Sequence, residues 1–342
     1  MQSLKPNLSQ IEKELVDIFK VDLTDELAQS FVSGLLEEID ASSAKTLEDI
    51  AQKGSVIFEN LAENVYGPLM VAYTAWILDA AKSILGNNSI FFAARDATPL
   101  FYIASELATR LGIETSKLKK LYYTRKIAGQ ADEIAGFGQR NVNEQMLKDY
   151  LAQQGVTDKS LIADMGLYGS LYKLACKKGL WEGKPNLVLF YSKNPNITGF
   201  LNTKVQTTQE MAQLGNLIVD CGECANPHKI WSPGQLVKMY EIVKPNLELI
   251  DNYFMQEWAD AALNGYKKAA QNYSDGQNVN LKTEMNKIQK LSDDAKQGKF
   301  TGVLPYCTPE WSQKAEFLAA WDIGPVPPNG TKHGNYASAQ AQ

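Results

Sequence analysis

The chain has 342 residues, 44% hydrophobic and 21% charged, the make-up of a soluble globular protein with room for one large or two ordinary domains. Lys and Arg number 34 against 39 Asp and Glu, a formal charge of −5, so no global positive field is available to hold nucleic acid. Four cysteines are too few for a disulfide scaffold, and two histidines, His228 and His333, leave little for a histidine-based triad or a His-rich metal site.

The start, MQSLKPNLSQIEKEL, has no basic segment followed by an apolar one, so no secretory signal is read and a cytoplasmic chain with reduced thiols is expected. The first 85 residues read as helices. Ser9 precedes IEKELVDIFK and Thr24 precedes DELAQSFVSGLLEEI, each a capping residue before a periodic run. The uncharged stretch 64–78 falls short of the roughly 20 apolar residues of a spanning helix, so no membrane segment is predicted. Leu69, Tyr73, Trp76, Ile77, Ala80 and Ile84 recur at helical spacing after Gly67 and Pro68, which predicts a helix lying flat on a sheet.

From residue 86 short apolar runs alternate with helical ones, the pattern of a parallel α/β sheet. Strands are expected at 89–94, 120–124, 160–164, 187–191 and 216–220, and helices at about 98–111, 143–154, 169–178 and 207–213. After Pro233 the pattern returns to helix, with Pro245 starting or kinking one helix and a polar helix over 280–296. The division expected is a helical region 1–85, an α/β core 86–232, a helical region 233–323 and a loose tail 324–342.

Three strand ends carry candidate chemistry. The first runs into Ala94-Arg95-Asp96-Ala97-Thr98, with Pro99 in the opening turn of the next helix. Loop N–H groups and helix N-termini gather anions at such ends, and Arg95 suits a phosphate or pyrophosphate. The plainer alternative is that Arg95 and Asp96 pair with neighbours while Asp96 or Thr98 caps the helix. The second is Asp164-Met165-Gly166-Leu167-Tyr168-Gly169-Ser170. Its glycines allow close approach and positive φ, its N–H groups and the Ser170 hydroxyl can wrap a phosphate, and Asp164 can face sugar hydroxyls or Mg²⁺. The plainer alternative is a tight βα turn with a capping serine. The third is Tyr122-Tyr123-Thr124-Arg125-Lys126 leading into a Gly- and Ala-rich stretch, 127–138, the composition of a loop that closes over an anion.

In this order the three elements resemble the type I phosphoribosyltransferase family, most closely its orotate-like members. Asp164 to Gly169 and Ser170 match the family's phosphate loop in spacing, and YYTRKIAG resembles its aromatic–Arg–Lys segment. The resemblance implies a transfer of ribose 5-phosphate from phosphoribosyl pyrophosphate to an acceptor, with Mg²⁺, in a homodimer whose hood loop reaches the neighbouring site. It implies Arg95, Asp96, Ala97 and Thr98 at the pyrophosphate, Arg125 and Lys126 offsetting its charge, Asp164 at the ribose and the metal, and residues 165–170 at the 5-phosphate. The family has two adjacent acids before this loop, and the first position here is Ala163.

Tyr66-Gly67-Pro68, Arg95-Asp96-Ala97 and the Asp164–Ser170 stretch also resemble a domain that follows phosphatase-like domains in cell-surface polysaccharide proteins, with Ala97 in place of its glycine. A phosphatase reading of FFAARDAT itself fails, because Ala94 stands where the nucleophilic aspartate would be. Cys221 and Cys224 with His228 lack a second ligand pair for zinc. Glu223 and His228, just after a strand end, are candidates for acceptor recognition, and Tyr168, Tyr172, Tyr191 and Trp231 for stacking on a flat ring. A non-catalytic ligand sensor and an interaction scaffold built on the helical flanks are the competing readings.

Overall fold

A computed structural model describes residues 47–84, 88–94, 97–123, 144–181, 183–205, 209, 212, 215, 230–231, 255–274, 278–296 and 304–305. Helix α1 (Leu47–Leu61) passes through a single π-helical stretch, Ala62–Tyr66, into α2 (Gly67–Ile84). There follow β1 (Ile90–Ala94), α3 (Thr98–Ala108), β2 (Leu118–Tyr122), α4 (Glu144–Gln154), β3 (Leu161–Asp164), α5 (Ser170–Lys177), β4 (Asn186–Leu189), β5 (Thr198–Gly199) and α6 (Phe200–Lys204). Strand β6 (Ile230–Trp231) pairs antiparallel with β7 (Leu304–Pro305), and helices α7 (Met255–Asn272) and α8 (Leu281–Lys296) lie between them in sequence.

Strands β1 to β5 form one all-parallel sheet in the order β2-β1-β3-β4-β5, so the fold is of the α/β class. The sequence reports this through nearly continuous apolar strands, since a parallel sheet is covered on both faces. Phe91, Phe92, Leu161, Ile162 and Ala163 are all buried. Crossovers between parallel strands are right-handed. The chain leaves β1 toward one edge and β3 toward the other, which puts α3 and α5 on opposite faces.

The strand limits differ from expectation in an instructive way. Residues 120–124 were expected for β2, whereas the strand begins two residues earlier, where Ile90 pairs with Leu118 and Ala94 with Tyr122. Lys119 and Lys120 make its start look like a loop. Both sit at the edge of the sheet, where lysine discourages pairing with another chain. Their ammonium groups lie over aromatic rings, Lys119 5.7 Å from the Phe91 centroid and Lys120 5.2 Å from that of Tyr102. Strand β5, two residues long, is too short to leave a periodic signal. The expected strand 216–220, the Pro245 region, the helices after Ser9 and Thr24 and the tail 324–342 lie outside the described residues.

Helix α2 is not simply laid flat on the sheet. Leu69, Tyr73 and Ile77 are buried as the periodicity predicts, and so are Met70, Thr74 and Leu78 on the adjoining face. Helices α1, α2, α3 and α7 share one continuous core with the strands, from Phe58 stacked on Trp258 (5.4 Å) to Phe190 edge-on to Tyr73 (5.4 Å). The sheet and the described parts of both flanking helical regions are thus packed on each other. Among the described residues no helix is long and apolar enough to cross a membrane.

Candidate functional site

In an open α/β sheet, ligands bind beyond the carboxyl ends of the strands where successive connections leave toward opposite edges. Here that point lies between β1 and β3, which pair in parallel, Phe92 opposite Ala163. Two of the three strand ends singled out in the sequence are these two. The connection after β1 opens α3, and the connection after β3 opens α5.

The β3 side is described in full. Asp164 is the last residue of the strand and half-buried, and its Oδ1 accepts the Met165 N–H at 2.7 Å. A Cβ at Gly166 would stand 3.2 Å from Asp164 Oδ2, so the missing side chain leaves room for the carboxylate. Gly166 therefore serves the aspartate and does not adopt positive φ. The residue that does is Gly169, at φ +60°, ψ +32°, the residue before α5. There a Cβ would also press on Leu187 Cδ2 at 2.8 Å and Ile197 Cδ1 at 2.5 Å. The backbone angle favours glycine, while the Leu187 and Ile197 side-chain ends would have to shift to admit a Cβ. Lacking a side chain, Gly169 cannot cap the helix, so the first N–H groups of α5 are left for another acceptor. Ser170, exposed, stands beside them.

A tyrosine from another element secures the end of β3. Tyr73 of α2, fully buried, donates its hydroxyl to the Asp164 main-chain oxygen at 2.8 Å, an oxygen that also accepts the Phe190 N–H at 3.1 Å. Burial, and secondarily the charge of Asp164, push the Tyr73 pKa well above that of a free phenol, so its proton stays in place. No periodicity argument could find this residue's role, because its partner lies 91 positions away.

Other expected site residues fare differently. Ala97 is buried and its N–H is already given to Ala93 O at 2.9 Å, so it has no donor to offer a pyrophosphate. Thr98 is 2% exposed and belongs to the core. The Met165 side chain is likewise buried, and Leu167 is partly so. Leu167 packs against the same core. Tyr168 is 53% exposed, with Lys193 Nζ 5.5 Å from its ring centroid, and Lys193 N–H closes the loop onto Leu167 O at 2.8 Å.

Of the aromatic residues considered for stacking, Tyr191 is buried. Tyr172 gives its hydroxyl to Pro185 O and packs on Trp181, 5.6 Å between centroids. Trp231 is in the short strand β6. Arg95, Asp96, Arg125, Lys126, the 127–138 stretch, Glu223 and His228 lie outside the described residues.

Comparison of the chain with family models, curated proteins and solved structures finds no match. Magnesium is held in phosphate sites by one or two carboxylates together with substrate oxygens and water. A single carboxylate at Asp164 fits that mode. No cluster of three or more His, Cys, Asp or Glu able to hold a metal by itself occurs among the described residues.

Proposed function

We propose that the crevice between β1 and β3 binds a phosphorylated sugar and that the chain is a phosphoribosyltransferase-like enzyme. The observation that carries this reading is the pairing of β1 with β3 at the point of reversal. It sets the Asp164–Ser170 turn, with its open helix start, beside the strand that leads to Arg95. A 5-phosphate would take the free N–H groups of α5 and the Ser170 hydroxyl, where the helix dipole also favours negative charge. Asp164 would accept the ribose hydroxyls. Mg²⁺, held between Asp164 and substrate oxygens, would supply charge neutralisation at the pyrophosphate.

In the transfer an acceptor lone pair forms a bond to C1 of the ribose as the bond from C1 to the pyrophosphate oxygen breaks. The electron pair leaves with pyrophosphate, and the acceptor gives up a proton to solvent. The chain contributes position and charge stabilisation, with Arg95, Arg125 and Lys126 offsetting the leaving charge. The 127–138 loop, closing over the donor, would exclude water and limit hydrolysis. A dimer lending its hood loop to the neighbouring site belongs to the same proposal.

A second reading, binding without transfer, is favoured by Ala163. Its side chain is fully buried between Phe92 and Val188, so a single carboxylate stands at this strand end. Titration calorimetry with phosphoribosyl pyrophosphate and Mg²⁺ tests both readings. Saturable binding that Asp164→Asn weakens supports the site, and pyrophosphate release with a pool of nucleobases and amines supports transfer. Absence of binding at millimolar donor, or indifference to Asp164→Asn, overturns both.

A further inference from the structure

A hollow of about 900 Å³ is lined, among the described residues, by α2, α6, Leu111, Tyr273 and residues 278–282. That volume falls within the range that encloses small organic ligands, roughly 300–1,000 Å³. No residue of β1, β3 or α5 lines it.

The α2 wall explains an oddity of the sequence. From Gly67 to Leu78 the helix carries no charge, although its buried faces account only for residues such as Leu69, Met70, Tyr73, Thr74, Ile77 and Leu78. On an ordinary surface helix the remaining face would be polar. Here it is Ala72, Ala75 and Trp76, partly exposed, and these three line the hollow. Small residues leave the space and the indole supplies a flat wall. Its ring is held by Phe200, 5.6 Å away between centroids, and by Tyr73 at 6.1 Å, so its orientation is set before anything binds.

The lining is not uniformly apolar. Lys82, Lys204 and Lys282, all exposed, line it from three separate elements, and the one carboxylate among the described lining residues, Asp79, lies 4.0 Å from the Lys82 ammonium. Among the described lining residues three lysines stand against one carboxylate, beside the apolar Ala72, Ala75, Trp76, Phe200 and Leu281 and the amides Asn278 and Asn280. A recess that offers both apolar and cationic side chains suits a ligand that is itself divided in that way.

We propose that this hollow is a second ligand site, taking a small amphipathic organic anion: an aryl or acyl body against Trp76 and Ala75, and a carboxylate, sulfonate or phosphate at Lys204 and Lys282. It is independent of the β1/β3 crevice.

Calorimetry on the full chain with naphthalene-1-sulfonate and with decanoate tests it, using 1-naphthalenemethanol as the uncharged control. One saturable site is expected for at least one anion, with the alcohol about tenfold weaker or more. Lys204→Glu combined with Lys282→Glu should weaken the anion by about tenfold and leave the alcohol unchanged. Ala75→Trp, which fills the recess from a partly exposed position, should abolish binding while circular dichroism and the melting temperature show a folded chain. Failure of both anions to saturate, equal binding of the alcohol, or indifference to the charge reversals would each overturn the proposal. Should Ala75→Trp unfold, the double lysine variant, altered only at exposed side chains, still decides it.

Discussion

The hydroxyl of Tyr73 donates to the main-chain oxygen of Asp164 at 2.8 Å and so ties the middle of α2 to the last residue of β3. The bond is part-buried, and it holds the strand end that carries Asp164. Tyr73→Phe keeps the ring contacts with Phe190 and Phe200 and removes this donor together with its longer contact to Val188 O at 3.4 Å. Asp164 O retains the Phe190 N–H. A loss of about 1 kcal/mol of stability is expected from denaturant unfolding. Affinity for a sugar phosphate in the same variant should fall as well, since the carboxylate loses its anchor. Unchanged stability would mean that the bond contributes nothing.

Gly169→Ala should be more damaging than an ordinary turn substitution. A left-handed residue with a Cβ costs about 1–2 kcal/mol, and contact with Leu187 and Ile197 adds to that. Lowered melting temperature together with lost phosphate binding is the expected outcome. By contrast, Gly166→Ala leaves backbone conformation untroubled and crowds only Asp164 Oδ2 at 3.2 Å. It should affect ligand affinity more than stability.

Stability should fall at alkaline pH. Burial first, then the nearby Cys176 as charge and as hydrogen-bond partner, push the Tyr172 phenol up to about 12 from the usual 10. Burial also raises Tyr73 and Tyr123, with the charges of Asp164 and Cys176 as the secondary causes. A group whose pKa is raised by folding holds its proton more tightly in the native state. Its contribution is complete below pH 10 and is lost as pH rises from about 10 to about 12. Melting temperatures measured across that interval should drop, and Tyr172→Phe should flatten the decline. A melting temperature constant across the interval would contradict this account.

Arg110 closes the end of α7. Its guanidinium donates to the main-chain oxygens of Tyr273 at 2.9 Å and Ala270, with Gln271 O at 3.4 Å. The last carbonyls of a helix lack partners within it, and a cation there also suits the helix dipole. Arg110→Ala should cost about 1 kcal/mol and promote exchange of the α7 terminal amides. Lysine, a single point donor, should recover only part.

The parallel strands were legible because burial on both faces leaves an unbroken apolar run, as in IFFAA and LIAD. Helix starts at Thr98 and Ser170 were legible from the proline and glycine that mark them. How Ala97, Thr98 and Met165 orient was not legible, because proximity in sequence to a loop says nothing about which way a side chain turns. In the structure they turn inward. Gly166 and Gly169 looked equivalent and are not, since only the second has positive φ.

From residue order alone follow the α/β class, the approximate elements and the turn from Asp164 to Ser170, all of which depend on local patterns of polarity and on glycine. Which strands lie side by side does not follow from it. Strand order, the reversal between β1 and β3, the bond from Tyr73 to Asp164 O and the recess beside Trp76 join residues tens of positions apart. Such contacts arise from how preformed elements share one core, a property of their packing and not of any single segment.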